Sequence, residues 1–194
     1  MTPIDWQECR VALPAPDNWL VLDLRSETLE DWVRAAAEKH LDGDSRAEWR
    51  DAFADDLLWY RETAVRQGAL CAAVLAPPDC AVLASYTVRE LSIPATSLSV
   101  SALLAEVSQG EGPYFSEPQF SEVELPLGPA LRVHRFEPTE PQADSGIILE
   151  GVAHYVLPRH FPTALECRLL WTSLGLGEEL VKVADELAES LRLV

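Results

Sequence analysis

Two segments near the C-terminus, Ile147-Ile-Leu-Glu-Gly-Val-Ala-His-Tyr-Val-Leu157 and Leu165-Glu-Cys-Arg-Leu-Leu-Trp171, decide the fold. The first is apolar on both faces of an extended chain for much of its length, which predicts a central strand covered on both sides. In the second, apolar and polar residues largely alternate, so one face of that strand is buried and the other is wetter. The connection between them is too short for a parallel crossover, so the two strands pair antiparallel.

Further strands are predicted on the N-terminal side of this pair. Pro77-Pro78-Asp79 and Leu127-Gly128-Pro129 are typical of the tight turns that join antiparallel strands. The complete set of predicted strands is residues 18–24, 69–76, 80–91, 120–127, 130–137, 147–157 and 165–173.

Helices are predicted where apolar residues recur every three to four positions. The first of two consecutive helices covers residues 29–41, with Ser26 as its candidate N-cap. The second begins at the capping box Ser45-Arg-Ala-Glu48, runs to residue 67 and is ended by Gly68. Residues 96–109 form a short helix that Gly110 ends, and residues 178–191 form a closing amphipathic helix.

The order of these elements predicts an α+β fold in a single domain of residues 1–194. Its architecture is an α/β/α sandwich with a central antiparallel (meander) sheet, two helices after the first strand and a C-terminal helix packed on the sheet. A protein of this length buries roughly 70% of its unfolded surface, so it needs neither disulfides nor a structural metal to fold.

Composition narrows the classes of partner. Thirty-two acidic residues against fifteen basic ones give a net charge of −17. Phosphate groups are bound by clustered lysine and arginine, so this balance argues against nucleic acid and against an anionic membrane surface. It favours another protein, with a basic surface, as the partner.

The N-terminus predicts a cytoplasmic location. Residues 1–8 have no basic region followed by an apolar stretch, so no signal peptide is predicted. The longest apolar run starts at Ala69 and has eight residues before the prolines, whereas a membrane-spanning helix needs about twenty.

The four cysteines are scattered along the sequence. Cys71 and Cys80 flank a predicted turn, and they either form a disulfide across it or remain thiols. Cys71 and Cys167 are expected as small buried side chains. Arginine far outnumbers lysine, a bias typical of GC-rich bacterial genomes.

Three motifs that suggest a cofactor or metal are incomplete. The glycines after Ser173 lack the third glycine of a dinucleotide fingerprint, because position 180 is leucine. The spacing of His154, His160 and Cys167 matches no compact zinc pattern, and the sequence after Asp42-Gly43-Asp44 lacks the later oxygen ligands of a calcium loop. The sequence therefore predicts no catalytic residue, no cofactor and no metal ion.

Two surface clusters are candidate binding sites. Glu124, Arg132, His134 and His154 lie on predicted neighbouring strands and could line a pocket on a sheet face, with Glu122 and Arg135 beside them. Such a group supports acid–base chemistry or ligand binding, and cross-strand ion pairs explain it equally well. On the second helix, Leu58 and Trp59 are candidate partner contacts because tryptophan is a frequent interface anchor; the alternative is that both apolar stripes of this helix are buried.

Four segments show a resemblance to a known superfamily: Leu13-Pro-Ala-Pro-Asp-Asn-Trp19, Leu125-Pro-Leu-Gly-Pro-Ala-Leu-Arg132, Tyr155-Val-Leu-Pro158 and Leu170-Trp-Thr172. In these segments and in its order of elements the sequence resembles the PsbP-like α/β/α sandwich. That superfamily includes the photosystem II extrinsic oxygen-evolving protein, the yeast Ran-binding nuclear import factor and small actinobacterial members of unknown function. The resemblance implies a binding, assembly or chaperone-like protein and supplies no catalytic residues.

Two functions of different classes follow. The first is a non-enzymatic protein-binding module, such as an adaptor, an assembly factor or a chaperone-like protein. The alternative is a small-ligand binder or enzyme with a pocket at Glu124, Arg132, His134 and His154. A deep polar pocket favours the alternative, and an apolar patch or groove favours the module.

Overall fold

The computed structural model describes residues 4–6, 9–25, 29–41, 47–94, 99–108, 115–138, 147–159 and 163–193. Ten strands and four helices lie within these residues. The strands are β1 (Ile4–Trp6), β2 (Cys9–Val11), β3 (Trp19–Val21), β4 (Ala69–Leu75), β5 (Ala84–Pro94), β6 (Gln119–Leu125), β7 (Gly128–Pro138), β8 (Ile148–Val156), β9 (Thr163–Trp171) and β10 (Arg192–Leu193). The helices are α1 (Leu29–His40), α2 (Ala47–Arg66), α3 (Val100–Ser108) and α4 (Gly177–Ser190).

Seven strands form the main sheet in the order β3-β4-β5-β9-β8-β7-β6, and every neighbouring pair is antiparallel. Two meanders, β3-β4-β5 and β6-β7-β8-β9, meet where β5 pairs with β9. The connection that contains α3 leads from the middle of the sheet to its far edge. The predicted α+β class, with a central antiparallel sheet and a C-terminal helix, is confirmed.

The two faces of the main sheet are covered by different elements. On one face, which we call the α4 face, Cys71, Tyr86 and Leu169 pack with Leu187 of α4 and with β2 of a small sheet, β1-β2-β10. On the opposite face, the α2 face, β4 packs beneath α1 and α2, while β7 and β8 pack beneath α3. Helices therefore lie on both sides of the sheet, as the sandwich requires.

Several local predictions are confirmed in detail. Residues 150–156 of β8 are buried without interruption, as a central strand covered on both faces should be. Gly68, with a φ of 67°, ends α2 in the left-handed conformation that glycine adopts at little cost. The turn at residues 77–79 joins β4 to β5, although β5 begins at Ala84 rather than at residue 80.

The small sheet is the part of the fold that the sequence pattern does not predict. Its strands β1, β2 and β10 have only two or three residues each, too few for an alternating pattern to be recognised. The first predicted strand is also shorter than expected and consists of Trp19–Val21. The predictions at Ser26, Asp42–Asp44, Ser45, Gly110 and His160 lie outside the described residues.

Candidate functional site

A groove crosses the α2 face between its two groups of helices. α2 packs on β4 and α3 packs on β7, and the strands between them are β5, β9 and β8. Here β5 presents Ser85, Thr87 and Arg89, each of which is only partly buried. The register places these residues on the same face as Ala72 and Val74, which lie beneath α2.

One wall of this groove, the α2 groove, is formed by one side of α2. Thr63 and Gln67 line a cavity of about 210 Å³ together with Trp59 and Tyr60. The two aromatic rings meet edge to face, with centroids 4.9 Å apart and planes at 81°, a favoured aromatic geometry. Trp59 is 58% exposed and stands at the edge of the cavity. The groove therefore combines an apolar hollow with an exposed aromatic rim.

The floor and far wall of the α2 groove come from the sheet. Ser85 and Thr87 of β5 and Leu170 of β9 lie beneath the cavity, and Leu149 of β8 lies opposite α2. Leu170 lies over Gly151 of β8 so closely that a Cβ atom there would overlap its side chain. Among the described residues of the lining, Arg168 of β9 is the one charged side chain.

Arg168 belongs to a cluster of five charged residues on the α2 face. Its guanidinium group donates to Glu137, whose other oxygen lies 3.1 Å from Nε of Arg135. Arg89 pairs with Glu166 in the same cluster, which we call the arginine cluster. It holds three arginines and two glutamates, so its formal charge is positive within a strongly acidic protein.

Two polar groups of the arginine cluster are deeply buried, the carboxylate of Glu166 and the Nε–H group of Arg168. Glu166 is only 2% exposed, and its carboxylate is compensated by Arg89. Burial, and to a lesser extent the charge of Glu166, raises the pKa of the neighbouring Tyr155 to about 12. The Nε–H group of Arg168 is also buried, and it has no hydrogen-bond partner in the described part of the protein. A buried donor of this kind is costly unless something else pairs with it.

The structure separates the two predicted partner contacts, Leu58 and Trp59. Leu58 lines a different depression, between α1 and α2, with Val33 and Ala54, whereas Trp59 borders the α2 groove. Successive helical residues are about 100° apart, so two neighbours seldom share one patch. The two side chains thus form parts of two surfaces rather than one.

The structure also divides the predicted polar pocket. In the β6–β7 register Glu124 is opposite Pro129 and Glu122 is opposite Leu131, whereas Arg132 is opposite Ser121. Side chains alternate between faces, so Glu124 and Arg132 point to opposite sides of the sheet. Glu124 is exposed and pairs with Arg159. The prediction that Glu124 shares a pocket with Arg132, His134 and His154 is wrong, because the register puts it on the other face.

The three remaining residues of that pocket lie on the α4 face and contact structural partners. Asp185 of α4 accepts a hydrogen bond from Nε of Arg132 at 2.7 Å and lies 3.1 Å from Nε2 of His154. Burial by itself would raise the pKa of Asp185, but the hydrogen bonds with His154 and Arg132 outweigh it and lower that pKa below 3.8. These contacts fasten α4 to the sheet.

His134 takes part in a second polar network beneath α4. Its Nε2 lies 2.8 Å from Glu150, and Nε1 of Trp171 donates to the other carboxylate oxygen of Glu150 at 2.9 Å. Gly177, at the start of α4, passes so close that a Cβ atom would lie 2.7 Å from that carboxylate. The network joins β7, β8, β9 and α4, so the histidine serves packing rather than an open pocket.

All four cysteines are free thiols, so Cys71 and Cys80 do not pair. Cys71 and Cys167 are buried on the α4 face as expected, near Cys9, and burial raises the pKa of both thiols. Cys80 is exposed in the connection after β4. Among the described residues, no group of histidine, cysteine and carboxylate side chains could hold a metal ion.

The arginine cluster is the feature that sequence reasoning missed. The alternation in β9 does indicate a wetter face that carries Glu166 and Arg168. Their partners are on β5 and β7, however, and the pairing of β9 with β5 joins residues about eighty positions apart, such as Tyr86 and Leu169. Sequence spacing alone contains no signal for that pairing.

The comparisons with known proteins establish the fold alone. No protein-family model and no curated protein matches the sequence. Among solved structures, the protein is similar to LpqN of Mycobacterium tuberculosis, a protein involved in cell envelope biogenesis, with a TM-score of 0.51 at 11% sequence identity. The similarity covers 100% of this protein and 90% of LpqN. No helix among the residues that the structure describes has the length and apolar composition to cross a membrane.

Proposed function

We propose that this protein is a non-enzymatic binding module whose α2 groove accepts one large apolar side chain of a partner protein. The observation that carries the proposal is the cavity of about 210 Å³ bordered by the exposed Trp59. Cavities that hold drug-sized ligands are larger, about 300–1,000 Å³. Protein interfaces, in contrast, are dominated by a few aromatic or large side chains that fill small pockets.

The exposed surface of α2, the helix that forms one wall of the groove, suggests the charge of the partner. Five carboxylates are exposed on α2, at Glu48, Asp51, Asp55, Asp56 and Glu62, and the whole protein has a charge of −17. Complementary charges speed encounter and discriminate against wrong partners. A partner segment with lysine or arginine flanking its apolar anchor fits this surface.

The architecture supports one broader part of the proposal. Membership in the PsbP-like superfamily is supported by the α/β/α architecture, and a binding role matches what that resemblance implies. The cytoplasmic location predicted from the N-terminus stays a prediction, which fractionation of host cells with an antibody to the protein would test.

The test compares two tryptophans on the same helix. Trp59 and Trp49 are 58% and 59% exposed, and only Trp59 lines the cavity of the α2 groove. Peptides selected from a random phage-displayed library on the intact protein are expected to combine one aromatic or leucine residue with basic neighbours. Trp59→Ala should weaken their binding about 30-fold or more, the effect of losing a hot spot of about 2 kcal/mol.

Trp49→Ala is the matched control and should leave the peptide Kd, measured by fluorescence anisotropy, nearly unchanged. Neither substitution should greatly lower the melting temperature, because more than half of each side chain is exposed. Equal effects of the two variants on binding would contradict the proposal. So would a selection that yields no peptide dependent on Trp59.

A further inference from the structure

We infer that the partner segment is the C-terminus of a protein, whose last side chain fills the cavity of the α2 groove and whose carboxylate binds Arg168. The inference rests on the proposed function and specifies which part of a partner the groove recognises. Three observations support it: the charge of the arginine cluster, the unused donors of Arg168, and the size of the cavity.

The first observation is the local charge. Arg89, Arg135 and Arg168 lie together there with Glu137 and Glu166. Three of the fifteen basic residues of a protein whose net charge is −17 thus share one place on the sheet. An anionic group beside Arg168 would therefore lie near several cationic side chains.

The second observation is that Arg168 is equipped to bind such a group. A guanidinium group has five N–H donors, and in the described structure that of Arg168 makes one hydrogen bond, to Glu137. Its Nε–H is buried and unpaired, and the side chain, 16% exposed, lines the cavity. The planar group matches a carboxylate with two parallel hydrogen bonds.

The third observation is the small volume of the cavity. About 210 Å³ is about the size of a single residue. A C-terminal residue has an apolar side chain and a carboxylate on the same Cα atom. Its side chain can therefore pack against the apolar wall beside Tyr60 while its carboxylate reaches Arg168. The side chain of an internal aspartate or glutamate could reach Arg168 but would leave the apolar part of the cavity empty.

The test uses one peptide in two forms. A C-terminally displayed peptide library is selected on the intact protein, and the best peptide is synthesised as the free acid and as the C-terminal amide. Hydrogen bonds to a charged group contribute about 1.5–3 kcal/mol, so the amide should bind about 10- to 100-fold more weakly. Because the protein itself is unchanged in this comparison, misfolding of a variant cannot produce the difference.

Variants then locate the effect. Arg168→Gln should abolish the preference for the acid, and Arg168→Lys should retain part of it. Arg159→Gln is the matched control, since that arginine is exposed and pairs with Glu124 outside the cavity, and it should retain the full preference. A melting curve for each variant verifies that it is folded.

The outcomes separate this inference from the proposed function. If acid and amide bind equally and both still depend on Trp59, the inference is overturned and the binding module remains. If no peptide binds through Trp59, the proposed function fails as well. If 3-phenylpropionate alone binds as tightly as the peptide acid, the groove is a site for small carboxylic acids and the inference of a protein terminus is overturned.

Discussion

Replacing Trp171 by phenylalanine tests whether the polar network beneath α4 holds the fold together. Trp171 is 1% exposed and donates from Nε1 to the buried carboxylate of Glu150. Trp19 offers a matched control, because it is also buried, at 6% exposure, and donates from Nε1 to the carbonyl oxygen of Pro14 at 2.8 Å. Both substitutions remove an indole N–H group and the same part of the ring, but only one acceptor is a carboxylate.

The magnitudes follow from the acceptors. A hydrogen bond to a charged group contributes about 1.5–3 kcal/mol to stability, and a neutral one about 0.5–1.5 kcal/mol. Trp171→Phe should therefore lower the free energy of unfolding by about 1–1.5 kcal/mol more than Trp19→Phe. For a protein of this length 1 kcal/mol shifts the melting temperature by about 2–4 °C, so the two variants should differ by about 2–6 °C.

Differential scanning calorimetry and urea denaturation at neutral pH measure this difference. Combining Trp171→Phe with Glu150→Gln should reveal a coupling energy between the two positions, because they share one hydrogen bond. Equal losses in the two tryptophan variants, or a larger loss for Trp19→Phe, would refute the reasoning. The hydrogen bond from Trp171 to Glu150 would then contribute no more to stability than a hydrogen bond to a neutral carbonyl group.

Two further predictions concern a glycine beside a tight turn and the ion pair of Asp185. Gly128→Ala should cost about 2–3 kcal/mol in urea denaturation, because its Cβ would overlap the backbone carbonyl of Leu157; Gly175→Ala, with open space around it, should change stability by less than about 0.5 kcal/mol, and equal costs would contradict the packing. The pKa of Asp185 is lower in the folded protein than its ordinary 3.8, so its contribution to stability is present above that pH and is lost as the pH falls below it. Asp185→Asn should therefore be less stable than wild type at neutral pH and lose less stability on acidification below pH 4; denaturation curves of the two proteins that stay parallel would count against this.

Elements with a strong local pattern were predictable from the sequence. The helical spacing of Leu29 to Leu41 and the continuous apolar run from Ile147 each produced the expected element within a few residues. Strands of two or three residues, such as Cys9–Val11, were not predicted, because burial against α4 rather than a local pattern stabilises them. Non-local packing, not propensity, is what makes these short segments extended.

The candidate site was predictable only in part. Trp59 was identified because tryptophan is a frequent interface anchor, and in the structure it is exposed beside a cavity. The structure separates Trp59 from Leu58, because the two neighbours line different depressions on α2. Glu124 was grouped with Arg132 on the basis of neighbouring strands alone, and the register then placed them on opposite faces.

The sequence by itself determined the α+β class, the local hairpins and the covered central strand, because periodicity and turn residues act over only a few positions. Only the tertiary structure decided that β9 lies beside β5. That pairing, together with the register of β7 against β8, brings Arg89, Arg135 and Arg168 onto the α2 face of the sheet. The physical reason is that strand order and register depend on which distant apolar faces are buried together, and a shift of one residue would turn every one of these side chains to the other face.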